Sequence, residues 1–90
     1  MQEEDRKSLI EYPSAFPIKV MGVHAEGFED AMLALALQFD PGFDITTVER
    51  RPSKAGNYLG LTLTITATSR QQLDDLYRAL SANKMVKVVL

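Results

Sequence analysis

From Tyr58 to Thr68 the chain alternates without a break. Leu59, Leu61, Leu63, Ile65 and Ala67 hold one parity, and Tyr58, Gly60, Thr62, Thr64, Thr66 and Thr68 hold the other. Successive strand side chains point to opposite faces. A period of two over this length therefore predicts a strand with one face in the core and one facing water or a partner. Phe16 to Val23, FPIKVMGV, predicts an earlier strand with Phe16, Ile18 and Val20 on one face and Lys19, Met21 and Val23 on the other. Apolar residues on both sides imply a strand partly covered on both. Met85 to Leu90, MVKVVL, carries β-branched valines and predicts a last strand. Asp44 to Arg51, DITTVERR, is expected to be a strand as well. Its Ile45 and Val48 differ in parity, which implies a bulge or an edge position, and its charged end suits an edge.

Two segments show the helical period instead. Between Gly27 and Phe39, the residues Phe28, Met32, Leu35 and Phe39 mark a buried stripe. Glu26, Glu29 and Asp30 stand where the positive end of the helix dipole favours carboxylates. Asp40-Pro41-Gly42 ends that helix. Leu33 and Leu37 fall nearly opposite the stripe and need a cover, from either Leu9, Ile10 and Tyr12 or a partner subunit. Ser69 with Gln72 matches a capping box and opens a second helix. Leu73, Leu76, Tyr77 and Leu80 form its buried stripe, Arg70, Asp74, Asp75 and Arg78 its solvated side. Asn83 is expected to end it in the left-handed conformation.

The order is strand, helix, strand, strand, helix, strand. Right-handed crossovers then place both helices on one face of a four-stranded antiparallel sheet, the α+β ferredoxin-like βαββαβ sandwich. With 90 residues there is room for one core. Residues 1–12, polar at first, are expected to be a partly ordered segment, and 13–90 the single domain.

Composition narrows the function classes. The apolar fraction of 46% and charged fraction of 24% are those of an ordinary globular domain. A net charge of −2 argues against a general nucleic-acid binder, which needs a basic face to displace counterions from phosphates. The absence of cysteine removes disulfides, thiolate metal sites and cysteine nucleophiles. No apolar run is long enough to span a membrane. MQEEDRKSLIEY has neither the basic start nor the apolar middle of a signal peptide, so a cytoplasmic location is expected.

Candidate chemistry is sparse. His24 is the sole histidine and makes a poor metal site, and no Ser/His/Asp set is singled out by spacing. Neither a catalytic residue, a metal nor a cofactor is expected. SKAGNY lacks the order and the following helix of a P-loop, and reads as a hairpin loop in which Gly56 and Asn57 take positive φ. Arg50, Arg51 and Lys54 cluster around it as a candidate anion site, the weakest route to phosphate or RNA. RNA-recognition domains of this topology need two or three stacking aromatics, and the face of Tyr58 continues only into Gly60 and threonines. That face, with Tyr58, Thr62, Thr64 and Thr66 beside Lys19, Met21, Met85 or Val89, is instead a candidate interface, as is the Leu33/Leu37 patch. Its cover would be a second copy or an unidentified partner protein.

YPSAFPIKVMG at 12–22, SKAGNY at 53–58, TITATS at 64–69 and VKVVL at 86–90 resemble the YbeD-like family of small bacterial cytoplasmic proteins. The resemblance implies a ferredoxin-like fold similar to the ACT regulatory domains of metabolic enzymes. It also implies a regulatory or small-ligand role, with Met21, Gly22, Val23 and His24 at the ligand-binding junction, and it carries over no catalytic residue. Two readings follow: a non-enzymatic regulatory or protein-interaction domain, and a sensor of an amino acid or metabolite.

Overall fold

The computed structural model describes residues 11–90. The chain forms β1 (Ser14–Val23), α1 (Phe28–Phe39), a 3-10 turn (Ile45–Thr47), β2 (Glu49–Pro52), β3 (Tyr58–Ala67), α2 (Arg70–Ala82) and β4 (Val86–Val89). The strands make one antiparallel sheet in the order β2-β3-β1-β4. Both helices lie on one side of it, which gives the ferredoxin-like arrangement expected from the sequence.

The core sits between sheet and helices. β1 contributes Ile18 and Val20, and β3 contributes the whole leucine parity from Leu59 to Ala67. α2 adds Leu73, Leu76 and Leu80, as its periodicity predicts, while Tyr77, expected in the same stripe, is half-buried against the core. α1 adds Phe28, Met32 and Ala36, a spacing of four, so the stripe turns at Ala36 and not at Leu35. Ala36 is fully buried, while Leu35 and Phe39 are only half-buried. Leu33 packs against the core cluster, and Leu37 is left 37% exposed. Of their proposed cover, Leu9 and Ile10 lie outside the described residues, and Tyr12 packs against the core.

Three local expectations need correction. Residues 44–48 are not strand. The Asp44 carboxylate accepts from the Thr46 N–H at 2.9 Å and the Thr46 hydroxyl at 2.6 Å, which captures the chain in a 3-10 turn. Both hydrogen bonds hold the Asp44 carboxyl below its usual range. The turn lets Ile45 face out while Val48 is buried, and the edge strand starts only at Glu49. At the end of α2, Asn83 is extended (φ −74°, ψ 126°) and its side chain accepts from the Met85 N–H. In the hairpin only Gly56 takes positive φ, at 80°, and Asn57 does not.

The capping box at Ser69 forms with a shift. The Ser69 hydroxyl accepts from the Gln72 N–H at 3.0 Å, but Gln72 Oε1 reaches the Thr68 N–H, one residue before the cap. Gln72 Nε2 donates to the carbonyls of Phe39 and Thr66. Asp40, nine-tenths buried, accepts from the Thr66 N–H at 2.9 Å. These bonds tie the end of α1, the end of β3 and the start of α2 together.

Candidate functional site: the open face of the sheet

The side of the sheet away from the helices carries no layer from the described residues. Register defines what it shows. Antiparallel partners share a face, so each row across the sheet can be read directly. In one row Glu49 pairs with Thr62, Thr62 with Lys19, and Lys19 exchanges both backbone hydrogen bonds with Leu90. In the next, Arg51 pairs with Gly60, Gly60 with Met21, and Met21 with Val88. Beyond that row stands Tyr58, and on the other side Thr64 and Thr66.

Gly60 carries no side chain between Arg51 and Met21, so the face sinks there into a groove of about 560 Å³. Met21, Val88 and Leu90 supply its apolar wall, and Lys19, Glu49 and Arg51 its charged rim. A smaller hollow continues from it toward Tyr58. Met21 (39%), Tyr58 (43%), Val88 (40%) and Leu90 (71%) are exposed apolar side chains on this one face. Exposed hydrophobic residues scattered singly need no explanation, but a contiguous set marks a binding surface.

The expected interface members divide. Tyr58, Thr62, Thr64 and Thr66 lie on the open face as their parity requires, with Lys19 and Met21. Val89 does not: it pairs with Val20 and faces the core, and Met85 packs against the core. The reason is an irregularity between Met21 and Gly22, where Gly22 pairs with Val86 and Met21 with Val88, so Lys87 is the extra residue. That shift gives Val88 and Leu90 to the open face. Sequence parity without the bulge points to the wrong pair. Strand β1, expected to be partly covered on both sides, has a second face left open among the described residues. Leu33 and Leu37 belong to α1, on the other side of the molecule.

The basic cluster is not brought together. Arg50 pairs in register with Leu61 and lies on the helix side, where Nε donates to Glu29 Oε1 at 2.7 Å and Nη2 to Oε2. This bidentate pair holds the Glu29 carboxyl below its usual range and raises Arg50, chiefly through the hydrogen bonds themselves. Arg51 stands on the open face, and Lys54 in the hairpin turn.

The junction residues Met21 to His24 also separate. Met21 lines the groove and Gly22 is buried beneath Phe28. Val23 donates to the Met85 carbonyl. His24 docks on the hairpin: its N–H donates to the Asn57 carbonyl at 2.9 Å, and Nδ1 lies 3.1 Å from the Gly56 carbonyl. The hairpin itself closes through Ser53, whose hydroxyl accepts from the Tyr58 N–H. SKAGN is therefore a turn that braces the end of β1. Sequence reasoning missed Glu49, Gly60, Val88 and Leu90 as members of one site. Gly60, the only residue without a side chain among the bulky open-face positions of β3, was the signal available.

No helix among the described residues is long and apolar enough to cross a membrane. Comparison with known proteins agrees with the fold and places the chain. The solution structure of protein HP0495 from H. pylori superposes with a TM-score of 0.77 at 15% identity, covering 100% of this chain and 94% of that one. A UPF0250 protein of Leptothrix cholodnii is 67% identical over 91 residues, spanning 100% of both chains. One of Bordetella pertussis is 63% identical over 84 residues, 93% of this chain and 92% of its own. The family model described as "Protein of unknown function (DUF493)" matches residues 7–90, and the chain belongs to that family, the bacterial UPF0250 or YbeD-like proteins.

Proposed function

We propose that this protein is a non-enzymatic interaction module that acts by presenting the open face of its sheet to another protein. The observation that carries the reading is the set of exposed apolar side chains on that face, Met21, Tyr58, Val88 and Leu90, rimmed by Lys19, Glu49 and Arg51. An apolar centre with a charged rim is the composition of protein–protein interfaces. The test is affinity capture with the wild-type chain and with Val88→Asp, which places a charge at an exposed position and leaves the core intact. A protein retained by the wild type and lost from a normally melting Val88→Asp supports the reading. The same set of proteins retained by both overturns it.

A second reading, an ACT-like sensor of an amino acid or other small metabolite, is favoured by the groove itself. Its volume lies within the range of small-molecule sites, roughly 300–1,000 Å³. Lys19 and Arg51 would receive an anionic group there. A ligand of the native state stabilises by RT ln(1 + [L]/Kd), so the melting temperature should rise with dose. Gly60→Leu fills the groove and should abolish that rise. A screen in which every amino acid and metabolite leaves the melting temperature unchanged removes this reading.

A further inference from the structure

We propose that the occupant of the open face is a second copy of this chain, packed sheet to sheet about a two-fold axis that runs perpendicular to the strands, between the two rows described above. The proposal rests on the reading of that face as an interaction surface and names its partner. An isologous interface must be complementary to itself under one rotation. The two rows meet that condition.

A rotation about such an axis lays each row of one copy over the other row of its mate, with β2 above β2. Glu49 then faces Arg51 of the second copy, and Arg51 faces Glu49. Two opposite charges on each chain thus answer each other twice. Among the described residues neither group takes part in an ion pair within the chain, so both are available. The neighbouring column places Thr62 over the gap at Gly60, a side chain into the groove. In β1 Lys19 lies over Met21, its methylene stem along the thioether and its ammonium directed to the rim. At the β4 edge the exposed Val88 meets the exposed Leu90. Further out, the ring of Tyr58 falls over Thr64, large against small.

Sheets packed face to face lie within about 30° of aligned. With strands about 4.8 Å apart, that rotation displaces β2, the farthest charged strand, by roughly 4 Å. The long side chains of Arg51 and Glu49 span such an offset. An axis parallel to the strands does less well: it lays both Glu49 and Arg51 of β2 over Leu90 and Val88 at the β4 edge and pairs neither with an opposite charge, whereas the perpendicular axis leaves only Lys19 on an apolar partner.

The test is a charge exchange read by sedimentation at micromolar concentration. The wild-type chain is expected to dimerise. Glu49→Arg puts Arg against Arg twice, and Arg51→Glu puts Glu against Glu twice. Each alone should weaken the dimer about a hundredfold or more, since like charges across an interface cost several kcal/mol. An equal mixture of the two variants should recover it as a heterodimer, because every pair is then opposite in sign. The double variant E49R/R51E should recover it as a homodimer, which also shows that neither substitution harms the fold. A wild-type chain that sediments as a monomer throughout, or variants that fail to associate on mixing, overturns the second copy as partner. The two failures remain separable. A different protein captured by the wild type and lost from Val88→Asp would keep the interaction reading while the second copy falls.

Discussion

Gly22 and Gly60 stand on neighbouring strands and meet opposite constraints. A Cβ at Gly22 would lie 2.5 Å from the Met85 carbonyl oxygen and clash with the edge of the Phe28 ring, so β1, the chain entering β4 and α1 converge on a position that only hydrogen fits. Gly22→Ala should therefore destabilise by about 1–3 kcal/mol, the usual cost of overpacking a core, read by chemical denaturation. At Gly60 the same atom would meet only the Arg51 carbonyl oxygen, at an ordinary 3.5 Å. Gly60→Ala should change stability by no more than about 0.5 kcal/mol. Equal losses at both positions would contradict this account of β1. Arg50 supplies a prediction in pH. Its bidentate bonds lower the Glu29 carboxyl from an ordinary 4.5, so the stability they add is full above that value and lost as pH falls through the lowered one. Arg50→Gln should lower the melting temperature at neutral pH, and the difference from wild type should shrink below about pH 4.5. A difference constant from pH 7 to 3 would place the effect elsewhere. Arg50 and Arg51 also show why a cluster in sequence need not be one in space: adjacent strand residues face opposite ways, and only the pairing register says which one the helices claim.

Among the elements, those whose periodicity is unbroken were readable in advance. β3 and α2 emerge as their patterns require, with every core position in place except Tyr77, which is only half-buried. α1 was readable in extent and in the first half of its stripe, Phe28 and Met32, but not beyond, because a small Ala36 gives a weaker hydrophobic signal than the neighbouring Leu35. Residues 44–48 misled for a different reason. Thr46, Thr47 and Val48 are β-branched and favour a strand, yet the Asp44 carboxylate accepts the Thr46 N–H and the Asp44 carbonyl accepts the Thr47 hydroxyl, local partners that compete with a ladder. β4 misled through a bulge that no side chain announces. Two cap predictions belong at this scale. Ser69→Ala removes the acceptor for the Gln72 N–H and should cost about 1 kcal/mol in thermal unfolding. Gln72→Ala should cost more than Ser69→Ala, because Gln72 reaches Thr68, Phe39 and Thr66 and so joins three elements. If Gln72→Ala is the milder of the two, those side-chain bonds contribute less than the cap.

At the scale of the whole molecule, a four-stranded sheet with helices on one side leaves half of its surface for another role. The alternation of β3 made that open face legible, and its threonines located it. The groove was not legible. Its walls come from three other strands, and residues so distant in sequence as Lys19, Glu49 and Leu90 enter one row only through pairing. The interaction reading and its second copy therefore rest on register, and register is what a measurement should address. Met21 lies on the open face and Met32 in the core, so the two methionine methyl groups report on the two sides of the sheet within one sample. Methyl resonances followed as the protein is concentrated test the central claim most directly. The account predicts that the Met21 signal moves with concentration while Met32 stays fixed. A Met21 methyl that does not move from dilute solution to the highest attainable concentration would contradict it.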